Sequence, residues 1–150
     1  MLARWRQYAS LPLRLVLGAL FLMHGSQKLF GVFGGPGLSG TAASMASRSV
    51  TPGLFWAWVA GLVELIGGAA LVLGAVTRWT AIVLALESLI AIVAAAFGAA
   101  TNAEFRLAAL AGLVALSLIG PQLYALDTRV PMLTPLADGL PPAESARKAA

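Results

Sequence analysis

The sequence has no cysteine, one histidine and little charge. Charged residues make up 11% of the 150 positions, against about 25% in ordinary soluble domains. Without thiols the chain cannot form disulfides, thiolate metal sites or iron–sulfur clusters, and with His24 alone it cannot hold a bis-histidine haem. Hydrophobic residues account for 59% of the chain and the mean hydropathy is +0.87. These values exclude a soluble globular protein and a disordered chain.

The charge that is present is mostly basic. Ten Lys and Arg residues outnumber six Asp and Glu residues, and the isoelectric point is about 10.4. The net charge is only +4, however, and no basic cluster exists, so we exclude a nucleic-acid partner. In a chain this apolar, an excess of Lys and Arg is better explained by membrane topology.

Four long apolar runs predict an all-α membrane protein. A membrane-spanning helix needs roughly 20 mainly apolar residues, and runs of this kind cover about residues 11–30, 54–76, 79–99 and 105–124. Two of the three connections are short, which favours an antiparallel four-helix bundle. Arg4, Arg6 and Arg14 resemble a signal-peptide n-region and residues 15–23 an h-region, but no cleavage site of small residues follows promptly. We therefore expect the first helix to be retained, with residues 1–10 as a cytoplasmic N-terminal segment. Residues 125–150 contain four prolines and are expected to form an extended or disordered tail.

The distribution of Lys and Arg predicts the orientation. With both termini in the cytoplasm, seven basic residues lie inside and three lie outside, as the positive-inside rule requires. The inner set is Arg4, Arg6, Arg14, Arg78, Arg129, Arg147 and Lys148, and the outer set is Lys28, Arg48 and Arg106. The expected location is therefore a bacterial cytoplasmic (inner) membrane.

The connection between the first two spans is long, from about residue 31 to residue 53, and it faces outward in this topology. It is rich in glycine, but it lacks the GxxxxGK[ST] pattern of a phosphate loop. Residues 41–49 are predicted to form a short helix against the mouth of the bundle. Ordered loops of this length are often functional.

A few ionisable residues lie at membrane depth. Such residues normally face the bundle interior or water because exposure to lipid is costly. Glu64 shares a stripe with Gly61, Gly67 and Gly68, so it is expected to point inward. Glu87 shares its helix face with the bulky Leu84, and small residues follow only from Ala91, so its inward orientation is less strongly indicated. Arg14 and Arg106 lie near span ends, where long side chains can snorkel to the interface.

These residues predict an outward-opening polar pocket. Its candidate ligand-binding residues are His24, Gln27, Lys28, Glu64, Asn102 and Arg106. Glu64 and Glu87 are also candidate proton sites. Purely structural roles remain open: a protonated glutamate bound to a carbonyl, a hydrogen-bonded core histidine, and basic anchors at the interface. Glutamate and histidine can also ligate a divalent metal, but nothing in the sequence shows that they converge, and we predict no metal site.

The order and spacing of several short motifs resemble the DoxX family of small bacterial four-helix membrane proteins. The motifs are an HGxxKLFG sequence at residues 24–31, Gly40-Thr41-Ala42, residues 52–56, an ExxGG sequence at residues 64–68, and residues 74–78 with the Thr77-Arg78 pair. The resemblance covers about residues 11–124. Relatives in that family include a subunit of a thiosulfate:quinone oxidoreductase and partners of thiol-stress enzymes.

The resemblance implies a membrane subunit of a redox system that binds a quinone or another small molecule and is not active alone. The electron source would be a partner enzyme. Two alternatives remain: a proton- or cation-coupled transporter using Glu64 and Glu87, and a non-catalytic membrane anchor for an enzyme. A lateral, lipid-facing slot would favour a quinone, a vestibule from each side would favour transport, and a tightly packed bundle would favour an anchor. The stripes of small residues also suit a homo-oligomer.

Overall fold

The computed structural model describes residue 8 and residues 10–96, 103–120 and 125–128, and within these residues the regular structure is entirely helical. The helices are α1 (Ser10–Phe30), α2 (Gly37–Ala46), α3 (Gly53–Leu73), α4 (Thr77–Ala96) and α5 (Ala103–Ile119). Short 3₁₀ turns cover Val32–Gly34 and Leu126–Thr128. The four long helices α1, α3, α4 and α5 overlap the four apolar runs, so the all-helical prediction is confirmed for this part of the chain.

Two of the helices are individually long and apolar enough to cross a membrane, α3 and residues Thr77–Ala94 of α4. The segments Ser10–Phe30 and Val32–Ala46 pass the same test as a pair bent by 101°. The described apolar part of α5, Arg106–Ile119, is shorter. The fold is therefore that of a helical membrane protein with two or three such elements, and crossing by all four predicted spans stays a prediction.

Glycines bring α1 and α3 into backbone contact. A Cβ atom added at Gly25 would lie 2.5 Å from the Leu65 nitrogen, and one added at Gly68 would lie 2.5 Å from the Leu22 nitrogen. Small residues allow membrane helices to approach this closely. Leu22 precedes Gly25 in α1, whereas its partner Gly68 follows Leu65, the partner of Gly25, in α3. The two helices therefore run in opposite directions.

The core combines side chains from the four long helices. Its members are Leu17, Phe21, Leu71, Ala81, Leu84, Ala109, Leu113 and Leu116. By contrast, many large apolar side chains face outward, as expected where lipid rather than water surrounds the protein. Only 28% of the α3 span and 22% of the α4 span are buried inside the molecule, which leaves most of both helices for lipid.

The helix α2 confirms that the glycine-rich connection contains a short helix, which begins at Gly37 rather than at residue 41. It packs against both α1 and α3. The buried Thr41 hydroxyl shares its one hydrogen between the Gly37 carbonyl oxygen, 2.8 Å from Oγ1, and the Lys28 carbonyl oxygen, 3.3 Å away. The second bond ties α2 to the last turn of α1, so α2 lies over that end of the bundle.

Buried polar residues surround the turn between α3 and α4. We call Arg14, Thr77 and Asp127 the second polar cluster, to distinguish them from the charged site described below. Gly74 ends α3 in the left-handed conformation, with a φ of 68°, which favours glycine. Asp127 reaches this turn from beyond α5: its carboxylate accepts hydrogen bonds from the backbone N–H groups of Val76 and Thr77, the second at 2.7 Å. Its own N–H donates to the Gly74 carbonyl at 3.1 Å. Residues 125–128, which we assigned to an extended or disordered tail, thus pack on the bundle; residues 129–150 lie outside the described residues.

Candidate functional site

Three charged side chains meet inside the bundle, one from each of three helices. The Lys28 ammonium on α1 lies 2.6 Å from Oε1 of Glu64 on α3 and 3.5 Å from Oε1 of Glu87 on α4. The Glu64 side chain is 3% exposed, and those of Lys28 and Glu87 are 17% and 16% exposed. We call these three residues the charged cluster.

The close packing of α1 against α3 positions the pair Lys28–Glu64. Lys28 lies in the last turn of α1, one turn after the backbone contact at Gly25. Glu64 lies on the inward stripe of α3 between Gly61 and Gly68, as the glycine pattern predicted. Glu87 follows the core residue Leu84 by one turn of α4, so it also faces inward.

The charged cluster keeps unused hydrogen-bond acceptors. The second carboxylate oxygens, Oε2 of Glu64 and Oε2 of Glu87, are buried and accept no hydrogen bond from any part of the chain that the structure describes. Arg106 on α5 also acts electrostatically on Glu64. The two carboxylates therefore share one ammonium, and the Arg106 guanidinium adds positive charge that acts on Glu64. The unused carboxylate oxygens can accept a proton, or a hydrogen bond from a donor group of a ligand.

The other predicted pocket residues have separate hydrogen bonds. The His24 Nδ1 atom lies 2.8 Å from the Leu20 carbonyl oxygen one turn earlier. Gln27 donates from Nε2 to the Phe33 carbonyl at 3.2 Å and so holds the turn after α1. Asn102 lies outside the described residues. Ligand binding by these side chains stays a prediction, and Lys28, rather than His24, provides the α1 side chain that is ion-paired with Glu64.

An open apolar groove of about 350 Å³ runs between α3 and α4 beside the charged cluster. Its lining residues are Leu62, Val63, Ile66, Gly67, Ala70, Trp79, Thr80, Val83 and Leu84. Val63 precedes Glu64 directly, and Leu84 precedes Glu87 by one helical turn. Glu64 and Glu87 themselves do not line the groove, but these chain neighbours of theirs do. Because the lining residues Leu62, Ile66 and Val83 are exposed, the groove opens on the outer side of α3 and α4, a position that the sequence did not indicate.

The cluster at the α3–α4 turn was also missed from the sequence. Arg14 was expected to snorkel, but it is fully buried, its guanidinium lies against Gly74, and Asp127 acts on it electrostatically. The expectation was wrong because a carboxylate distant in sequence returns to this point. Neither helical periodicity nor a local capping motif marks Asp127, since it caps α4 from 50 residues away.

In the part of the chain that the structure describes, no group of three His, Asp or Glu side chains is arranged to hold a metal ion. The chemistry that the charged cluster offers is instead that of ion pairing and proton exchange at membrane depth. Such intramembrane ionisable groups commonly mark proton relays or ligand pathways. The fold and the site together define a small helical membrane protein with an internal charged cluster.

Comparison with known proteins gives the family. The DoxX family profile matches residues 9–97, more than half of the chain, so this protein belongs to the DoxX family. It is also 32% identical over 123 residues to the protein named "Putative oxidoreductase CatD" of Bacillus subtilis (strain 168). That match covers 81% of this chain and 86% of the relative. No solved structure matches.

Proposed function

We propose that this protein is a membrane subunit of a redox system and that it binds a quinone, or a small apolar molecule of similar chemistry, in the α3–α4 groove. The observation that carries the proposal is the position of that groove. It is apolar, opens on the outer side of α3 and α4, and is lined by Val63, the chain neighbour of Glu64, and by Leu84, one helical turn before Glu87. A lipid-soluble ligand can enter such a groove from the membrane without crossing water.

Quinone chemistry requires what the charged cluster offers. Reduction of a quinone to a quinol takes up two electrons and two protons. An apolar slot suits the ring and tail, while ionisable side chains nearby can exchange the protons. In this proposal Glu64 and Glu87 exchange the protons, and Lys28 lowers the cost of keeping the two carboxylates close together. The chain has no cysteine and a single histidine, so we assign the electrons to a redox enzyme partner.

The relative from Bacillus subtilis supports this class of function through its name, "Putative oxidoreductase CatD". We further propose that the chain crosses a bacterial inner membrane four times, with α1, α3, α4 and α5 as the spans and both termini in the cytoplasm. The outward-facing apolar side chains of α3 and α4 then meet lipid or a second copy of the chain.

Tryptophan fluorescence offers a direct test, because Trp79 lines the groove. Purified protein in detergent is titrated with a short-chain ubiquinone, which quenches nearby indoles. We expect saturable quenching that is lost in the Trp79→Phe variant. Ala70→Phe fills the groove and should weaken binding. The matched control is Leu73→Phe on the same helix: Leu73 is 57% exposed and is not a lining residue, so binding should be unchanged.

Other outcomes point to the two alternatives. Equal, non-saturable quenching in all variants would count against a quinone site. Normal quinone-linked respiration and stress resistance in cells carrying Glu64→Gln or His24→Ala would argue against the pocket. Solute uptake that requires Glu64 would instead favour a transporter, whereas intact partner-enzyme assembly in every variant would favour an anchor.

A further inference from the structure

The charged cluster and the second polar cluster lie at different levels of the bundle, and apolar side chains fill the space between them. Arg14 and Lys28 are separated on α1 by roughly 21 Å, at about 1.5 Å of rise per residue. The buried polar residues of the described chain fall at one level or the other, or nearer the α2 end. At the Lys28 level and above are Thr41, Glu64 and Ser88, and at the Arg14 level are Ser10, Arg14, Thr77 and Asp127.

The interior of the layer between these levels is closely packed, and the α3–α4 groove lies on its outer side. The fully buried residues Leu71, Leu84 and Leu113 come from α3, α4 and α5, and the nearly buried Leu17 and Phe21 come from α1. Leu84 packs directly on Gly67, where an added Cβ atom would lie 2.9 Å from a Leu84 methyl carbon. Native protein cores of this kind have few voids larger than a water molecule. Among the described residues, no buried polar side chain lies in this interior to carry a proton through it, and the partly exposed Thr80 faces the groove instead.

The Arg14 end of the bundle is also closed, at the α3–α4 turn. Asp127 binds the α3–α4 turn through three backbone hydrogen bonds, to Gly74, Val76 and Thr77. The buried Arg14 fills the space beside Gly74. Water approaching from the Arg14 end therefore meets the hydrogen-bonded α3–α4 turn and the buried Arg14 side chain before it meets the apolar layer.

The α2 end differs. Lys28 lies in the last turn of α1 and Arg106 lies in the first turn of α5, and both are partly exposed. The charged cluster keeps some exposure at Lys28 and Glu87, and His24 lies one turn below Lys28 on the same face of α1. The titratable and basic groups that face the cluster, Lys28, His24, Glu64, Glu87 and Arg106, are thus all on the α2 side of the apolar layer.

We infer that the charged cluster exchanges water and protons with the α2 face of the membrane only. The protein is then not a through-conduit for protons. If the proposed quinone chemistry holds, on which this consequence rests, its protons are taken up and released at the α2 face, which the topology places outside the cytoplasm. The sidedness itself follows from the packing and does not depend on the identity of the ligand.

Because the natural sequence has no cysteine, single cysteines report access cleanly. We would introduce Lys28→Cys and treat intact spheroplasts and inverted membrane vesicles with a charged, membrane-impermeant methanethiosulfonate. Arg48→Cys and Arg78→Cys replace exposed residues near the α2 end and at the start of α4, so they mark the two faces. We expect Lys28→Cys to be labelled in the same preparation as Arg48→Cys and not in the preparation that labels Arg78→Cys.

Labelling from the Arg78 face, from both faces or from neither would overturn the inference. If Lys28→Cys does not accumulate, Glu87→Cys gives the same readout while keeping the Lys28–Glu64 pair. In a second measurement, proteoliposomes with an internal pH dye should leak protons no faster than empty liposomes. A faster leak that Glu64→Gln abolishes would contradict one-sided access. Neither experiment uses a quinone, so failure of the proposed function and failure of this inference are distinguishable.

Discussion

At the scale of single residues, the ion pair of Lys28 with Glu64 is the most constrained feature of the site. A carboxylate that is 3% exposed needs a partner, because an isolated buried charge is costly. Removing one member of such a pair strands the other charge, whereas replacing both with neutral side chains is often tolerated. The energetic role of Lys28 is therefore larger than the strength of its hydrogen bond alone.

A double-mutant cycle on Lys28 and Glu64 tests whether the two residues are energetically coupled. Lys28→Met should lower the free energy of unfolding by about 3 kcal/mol, because it leaves Glu64 buried and unpaired. The double variant Lys28→Met with Glu64→Gln should recover much of that loss. Both are measured by denaturant unfolding in detergent micelles.

Glu87→Gln is the control for the ion-pair cycle. Its carboxylate lies 3.5 Å from the ammonium rather than 2.6 Å, so we expect a smaller loss than from Lys28→Met. Strictly additive effects of Lys28→Met and Glu64→Gln would show that the two residues are not energetically coupled.

At the scale of helices, the contact between α1 and α3 sets the geometry of the charged cluster. The glycines at positions 18 and 25 of α1 and 61 and 68 of α3 remove the side chains that would separate the two helices. Gly25 is the critical position, because backbone atoms of α3 surround it and backbone cannot rotate away. Lys28 is one turn further along, so any displacement of α1 moves its ammonium relative to Glu64.

A single added methyl group tests this contact. Gly25→Ala places Cβ 2.5 Å from the Leu65 nitrogen, and overpacking of this kind costs about 1–3 kcal/mol. We expect a lower unfolding midpoint in detergent. In the matched control Gly112→Ala, the nearest atom is the flexible Leu17 Cδ1 at 3.2 Å, so the midpoint should change less. Equal midpoints for the two variants would mean that the α1–α3 contact is looser than the structure shows.

Unlike the α1–α3 contact, the start of α4 depends on a residue that is distant in sequence. The first backbone N–H groups of α4 need acceptors, and the sequence just before Thr77 offers no capping carboxylate. Asp127 supplies it from the segment after α5 and also compensates the buried Arg14. An interaction between residues so far apart in sequence leaves no local signal.

At the scale of the whole molecule, the structure does not change the distribution of basic residues that predicts the orientation. Arg14 is buried and Lys28 is ion-paired, so neither acts as a free interfacial charge. Arg14 belongs to the inner set of basic residues and Lys28 to the outer set. If both are left out, the excess of basic residues remains in the inner set. The positive-inside rule therefore still predicts that the α2 end lies outside the cytoplasm.

Reporter fusions test this orientation. Alkaline phosphatase inserted after Ser49 should be active, because that enzyme needs the oxidising exterior, and green fluorescent protein fused after Ala150 should fluoresce, because it folds in the cytoplasm. The reverse pattern would invert the topology. Two active phosphatase fusions, at Ser49 and at the C-terminus, would show an odd number of spans.

The sequence by itself determined the environment and the kinds of element. Low charge and long apolar runs suffice to place a chain in a membrane as helices, because transfer of side chains into lipid depends on composition and length. The glycine stripe also predicted that Glu64 faces inward, because helical periodicity is local. The short helix in the long connection was predicted as well, with its start a few residues late.

Only the tertiary structure decided which charges meet. It paired Glu64 with Lys28, brought Glu87 beside them, buried Arg14 and returned Asp127 to the start of α4. It also formed the apolar groove between α3 and α4. The physical reason is that these outcomes depend on the rotation and depth of one helix against another, and packing contacts spread over the whole bundle set both. No local pattern in the chain encodes them.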